Sequence, residues 1–332
     1  MGIQVIISRI YIIKYSLLTL ILLISGCSHV VSRYISSQQS LNFENISSNE
    51  NLLLQGYVKS NYCSEKNLIC IGYLEAQAFT NKSTLRYDVA IEAGAKTENV
   101  ILEIAKNDLS TTFHGTVVLL HGFKASKEFM TNSALYFRFI GFNVIIPDLL
   151  GHGDSDGEIS FGVNDSQIIN KLLESKSDIE YPLYLLGNSM GAVTASYLAS
   201  NNDVSGLILL APMTKFDEAA VNYALSYSPI ISTLFTEEVI RQGAIEALNE
   251  ANISVEQTNI KPIVSALNIP VIIFTSTNDQ VAPFSYFDSL SSNKISVIKV
   301  NNRSHAGMSI IGTQEHLHIQ EWLKSNAKKP IK

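Results

Sequence analysis

The sequence predicts an α/β fold, a mostly parallel central sheet with helices on both faces and a small helical cap. Three observations point there. Apolar runs at 116–120, 142–146, 183–186, 204–210, 271–275 and 295–300 alternate with helix-forming stretches at the spacing of strand–helix–strand units. That alternation argues strands covered on both faces, with the chemistry at their carboxyl ends. Between Met213 and Pro270 the chain is also longer than one crossover helix requires, and the surplus predicts the cap.

Composition sets the outer limits. With 332 residues, 46% hydrophobic and 16% charged, the chain can bury one large core, and nothing repeats at a solenoid period. A net charge of -6 without a basic run argues against a nucleic-acid partner. No Cys/His cluster has zinc spacing, so no metal site is predicted.

The elements follow in chain order. Residues 1–26 read as a targeting segment: Arg9 and Lys14 precede the apolar run 16–24, and Ser25-Gly26 stand before Cys27. The run is short for a spanning helix. Ile24-Ser25-Gly26-Cys27 resembles a bacterial lipobox, which implies cleavage before Cys27, a lipid on that cysteine and a place in the cell envelope. Ser28, rather than Asp, then favours the outer membrane or periplasm. Residues 27–83 read as a tether and N-terminal extension. The Ser/Asn/Gln-rich 28–49 is expected to be solvated, and a small hairpin is expected to follow, with Cys63 and Cys70 an even pair able to bridge. The main domain is expected over 84–326, opening with an antiparallel pair at 85–91 and 100–105.

Tyr184-Leu185-Leu186-Gly187-Asn188-Ser189-Met190-Gly191-Ala192 runs from an apolar strand through Gly-x-Ser-x-Gly into a helix-forming stretch. A Cβ at Gly187 or Gly191 would collide with the neighbouring strand or helix, and the tight turn lifts Ser189 above the sheet. Four more strand ends carry marked residues: Leu120-His121-Gly122-Phe123, Pro147-Asp148-Leu149-Leu150-Gly151-His152-Gly153-Asp154-Ser155, Thr277-Asn278-Asp279-Gln280-Val281-Ala282-Pro283 and Arg303-Ser304-His305-Ala306-Gly307. Together they resemble the α/β-hydrolase superfamily, and within it serine hydrolases related to monoacylglycerol lipases and small carboxylesterases.

A serine nucleophile needs a neutral imidazole to take its proton and a carboxylate to orient that imidazole. Chain order in the superfamily is Ser, acid, His. Of the histidines after Ser189, His316 and His318 lie in a terminal amphipathic helix, which leaves His305 as base. His29, His114 and His152 precede the serine. Asp279 is the expected acid, with Asp217 its rival one strand earlier. The resemblance implies oxyanion donors at the backbone amides of Phe123 and Met190, an ester substrate and no cofactor. The 148–155 segment reads as scaffold.

The cap is expected over about 214–262, with helices at 217–227, 229–235 and 237–249, and a lining of Tyr223, Tyr227, Ile231, Leu234 and Phe235 suited to an apolar acyl or alcohol group. Two other functions fit the sequence less well. The Ser189 turn also resembles that of carbon–carbon bond hydrolases acting on meta-cleavage products, which usually carry Gly where Ala192 stands. A non-catalytic envelope protein on a hydrolase scaffold is opposed by the intact Ser189, Asp279 and His305 set.

Overall fold

The structure is a computed structural model that describes residues 26–37, 49–64, 68–93 and 96–326. The expected targeting segment up to residue 25 and residues 38–48 of the expected tether lie outside the described residues. Among the described residues ten strands are present: β1 (Val58–Cys63), β2 (Cys70–Ala76), β3 (Thr84–Ala93), β4 (Lys96–Ala105), β5 (Thr116–Leu120), β6 (Asn143–Pro147), β7 (Leu183–Asn188), β8 (Gly206–Leu210), β9 (Val271–Ser276) and β10 (Ile295–Val300). The helices are α1 over 26–36, then α2 (Asn49–Leu54), α3 (Thr131–Ile140), α4 (Asp165–Ser175), α5 (Gly191–Asn201), α6 (Phe216–Tyr227), α7 (Pro229–Leu234), α8 (Glu237–Glu250), α9 (Ile260–Ala266), α10 (Phe284–Phe287) and α11 (Thr313–Asn326).

Eight strands form one sheet in the order β1-β2-β6-β5-β7-β8-β9-β10, parallel from β6 to β10 and antiparallel at the β1 and β2 edge. Strands β5, β7 and β8 are buried along their whole length, because helices cover both faces. From β5 the chain moves one way to β6, then crosses back to β7 on the other side. That reversal opens a crevice at the carboxyl ends of β5 and β7, the usual ligand position in such sheets. His121-Gly122-Phe123 leaves one strand there and Ser189 leaves the other.

The expected boundary at residue 84 is corrected by the sheet. The β1–β2 hairpin forms its edge, β2 pairing with β6 and burying Ile71 and Leu74, so the sheet begins at Val58. Cys63 and Cys70 lie opposite each other in that hairpin and are disulfide-bonded. β3 and β4 form the expected antiparallel pair, as a two-stranded sheet of their own.

The tether reading is corrected as well, as far as the described residues go. Residues 26–36 are helical, with Ser28, Val31, Ser32 and Ile35 buried along one face. Spacings of three and four place these side chains on one stripe. They seat on α8, where Gly243 makes room: a Cβ there would lie 2.6 Å from Val31 Cβ. Ser28 Oγ donates to Glu246 at 2.6 Å. Among the described residues no helix is long and apolar enough to cross a membrane.

Candidate active site

The turn after β7 is built as its glycines require. A Cβ on Gly187 would lie 2.5 Å from Gly191 O and one on Gly191 would lie 2.2 Å from Leu120 O, both backbone contacts that cannot yield. Ser189 has φ 51°, a left-handed conformation that costs a side-chain-bearing residue about 1–3 kcal/mol and recurs at functional turns. The turn is tied to the next strand by Ser189 N and Asn188 Nδ2, both donating to Leu210 O at 3.1 and 3.0 Å. Ser189 is thus fixed in place and partly exposed above the sheet.

His305 lies between Ser189 and Asp279. Its Nε2 is 2.9 Å from Ser189 Oγ and its Nδ1 is 2.8 Å from Asp279 Oδ2. The carboxylate can only accept, so Nδ1 carries the proton and Nε2 is left to accept from the serine hydroxyl. Asp279 is fully buried, and its other oxygen accepts the amides of Val281 and Ala282 at 2.9 and 2.8 Å. The Asp-Gln-Val-Ala sequence therefore shapes its own loop around one carboxylate oxygen and frees the second for His305. Tyr227, from the cap, accepts the His305 amide at 3.3 Å.

The loop after β5 lies against the nucleophile: a Cβ on Gly122 would be 3.3 Å from Ser189 Cβ. The amides of Phe123 and Met190 border this space, and neither donates to another backbone group among the described residues. His121 braces the loop. Its Nδ1 donates to Gly122 O at 2.8 Å, and its Nε2 accepts Leu149 N–H at 3.0 Å. Complete burial pushes its pKa down to about 4. Although Asp148 lies 3.8 Å away, a neutral ring already holding an amide proton forms no ion pair with it. Burial and the neighbouring His121 push His152 down to about 3, and His152 packs edge-on against Phe123.

The 148–155 segment is scaffold. Asp148 accepts Lys127 Nζ and Lys127 N, each at 2.6 Å, and Asp154 N at 2.8 Å. Gly153, at φ 51°, gives the Asp148 carboxylate its room, since a Cβ there would sit 2.3 Å from Cγ.

The remaining candidates are placed elsewhere. Asp217, the rival acid, joins cap helices through Arg241 at 3.0 Å. His316 meets Tyr136 Oη at 3.1 Å, and His318 packs near Phe274. Within the cap, Ile231 and Phe235 pack on a small core of Val221, Ala224 and Ile240. Tyr223 is 47% and Leu234 68% exposed, and the Tyr223 ring packs 5.3 Å from that of Tyr227. An aromatic cluster that the sequence reading missed packs behind the Phe123 loop, with Phe161 and Phe216 buried. The Phe123 ring lies 6.3 Å from Phe161 and 5.4 Å from Phe216, which are 4.5 Å apart. The three phenylalanines come from separate segments and share no motif. Among the described residues no group of three or more His, Cys, Asp and Glu could hold a metal ion.

Comparison with known proteins finds hydrolases that share this fold. Residues 111–254 match the model of the serine aminopeptidase S33 family of hydrolases. The esterase Pf2001 of Pyrococcus furiosus superposes with a TM-score of 0.60 at 14% identity, over 89% of this chain and 98% of the other. A membrane phospholipase A, described as a bacterial virulence factor, gives 0.55 at 18% identity over 95% and 100%. The α/β hydrolase GrgF of a Penicillium species gives 0.53 at 14% identity over 81% and 98%. At such identities these structures speak for the fold. Among curated proteins none matches the sequence. Sheet order, the match over residues 111–254 and the superposed structures agree, and the chain has the α/β-hydrolase fold.

Proposed function

We propose that this hydrolase cleaves carboxylic esters through a Ser189–His305–Asp279 triad and an acyl-enzyme. The observation that carries the reading is the unbroken hydrogen-bonded line from Ser189 Oγ through the His305 ring to Asp279. Ser189 Oγ attacks the ester carbonyl while His305 Nε2 takes its proton. The negative charge that gathers on the carbonyl oxygen is met by the amides of Phe123 and Met190, preorganised donors of the kind that stabilise such charge. Collapse expels the alcohol, which takes the proton from His305, and leaves the acyl group on Ser189. Water, deprotonated by the same ring, then releases the acid. Asp279 holds the ring's tautomer and stabilises its charged form without taking the proton.

Phe123, partly exposed beside Ser189 and backed by the buried Phe161 and Phe216 rings, supports an apolar acyl group, in acylglycerols or similar esters. The esterase and phospholipase A among the structures of like fold agree with ester chemistry. Purified protein should hydrolyse p-nitrophenyl esters and be labelled by a fluorophosphonate at Ser189. Turnover of aminoacyl anilides or a dienone acid in place of esters, or a probe that leaves Ser189 unlabelled, would overturn the reading.

The lipobox-like sequence further supports attachment of the chain to the cell envelope through a lipid on Cys27. A Cys27→Ser variant should stay unprocessed or leave the membrane fraction. A processed variant that remains membrane-bound without lipid would refute the anchor.

A further inference from the structure

The two-stranded sheet of β3 and β4 reaches the loop that carries His305, and one carboxylate makes the connection. Glu98, third residue of β4 and opposite Ile91, is half-buried rather than solvated. Its Oε2 accepts the Ser304 amide at 2.8 Å and its Oε1 accepts Ser304 Oγ at 2.9 Å. Ser304 Oγ in turn accepts the Gly307 amide at 3.1 Å. The fit is close: a Cβ on Gly307 would lie 1.4 Å from Glu98 Oε1. The same sheet holds the chain beyond the loop, where Tyr87 Oη donates to Ile311 O and Ile101 O accepts Thr313 Oγ1 at 3.1 Å. Glu98 lies outside the 111–254 segment that matches the family model.

These contacts bracket His305 on both sides in sequence. The ring must meet Ser189 and Asp279 at once, and a displacement of about 1 Å in such a constellation lowers rate by about 10²-fold. We propose that Glu98 is a positioning residue for the reaction: by fastening Ser304 and the Gly307 turn it sets where the His305 ring stands. This rests on the triad reading above.

The test reads kcat and KM on a soluble ester, the fluorophosphonate labelling rate of Ser189 and the thermal midpoint. The variants are Glu98→Ala, Glu98→Gln, Gly307→Ala, the Glu98→Ala/Gly307→Ala double and Ser189→Ala. Glu98→Ala should lower kcat and the labelling rate together by roughly 30- to 100-fold with KM within about twofold, the pattern of a lost transition-state arrangement. Glu98→Gln should recover most of that loss, because its oxygen can take the Ser304 amide and its NH₂ can donate to Ser304 Oγ. Gly307→Ala pushes the carboxylate aside and should reproduce the loss. The double variant should fall no further than about twofold below Glu98→Ala, since both changes break one arrangement. Unchanged kcat in Glu98→Ala, a loss confined to KM or to thermal midpoint, no recovery in Glu98→Gln, or multiplicative losses in the double variant would overturn the assignment. If Glu98→Ala does not fold, Glu98→Gln and Gly307→Ala decide it: near-native kcat in the first and the loss in the second uphold the assignment, and any other pair refutes it. Ser189→Ala separates the two readings. If it keeps its turnover, the triad fails; if it is inactive while Glu98→Ala is normal, only the role of Glu98 fails.

Discussion

Ser189→Ala and His305→Ala should each lower ester turnover by about 10⁶-fold, the result expected of triad members that act as one unit. Without Oγ there is no acyl-enzyme, and without the ring nothing 2.9 Å from Oγ takes its proton. Neither side chain supports the core: Ser189 is partly exposed, and His305 lies on a loop at the strand ends. Thermal unfolding should therefore change little. The left-handed backbone at Ser189 is set by the turn, and its strain belongs to the Cβ, which alanine keeps. Steady-state kinetics beside a melting curve decides the matter. Activity retained in Ser189→Ala would refute the mechanism, and activity lost only together with folding would leave no case for a chemical role.

Asp279→Ala should cost about 10⁴-fold, less than loss of the base because an imidazole without its carboxylate still accepts a proton, though in the wrong tautomer for much of the time. This variant should also lose stability. Its removed Oδ1 serves two buried amides, Val281 N and Ala282 N, and a buried donor left without its partner costs about 1–3 kcal/mol. The control is Asp217→Ala, which breaks the 3.0 Å contact with Arg241 inside the cap. It should lower thermal stability while kcat stays within about tenfold, a change that leaves the transition-state contacts of the triad in place. Should Asp217→Ala fall as far in kcat as Asp279→Ala, the acid has been misassigned.

The doubly wound part of the fold was legible because parallel strands covered on both faces must be written as apolar runs, and this chain writes six of them. The candidate site was legible for a related reason: its residues sit where those runs end, and Gly187 and Gly191 announce a backbone approach that no other residue tolerates. What was missed depends on partners far away in sequence. Glu98 looks like any charge on an exposed hairpin until Ser304, 206 residues later, supplies its hydrogen bonds. Helix α1 has only Val31 and Ile35 as buried aliphatic contacts in a Ser-rich stretch, too few for a periodic signal. Tyr223 shares a helix face with Tyr227, which meets the His305 amide, whereas Leu234 is 68% exposed.

Helix α1 also decides what an N-terminally shortened enzyme would be. Cutting the chain at residue 49 removes a slab of the cap's own packing and uncovers the α8 surface around Gly243. Lys124, buried one residue beyond Phe123, would lose the Tyr34 carbonyl and the Ser37 hydroxyl, which hold its ammonium at 2.7 and 3.0 Å, together with the Tyr34 ring 4.2 Å below it. The ammonium would then face water, and the loop that loses this tie carries the Phe123 amide. Weak activity in such a fragment would therefore report a damaged enzyme, and the shortened form to prepare is one that keeps residues 27–37 and removes only what precedes them.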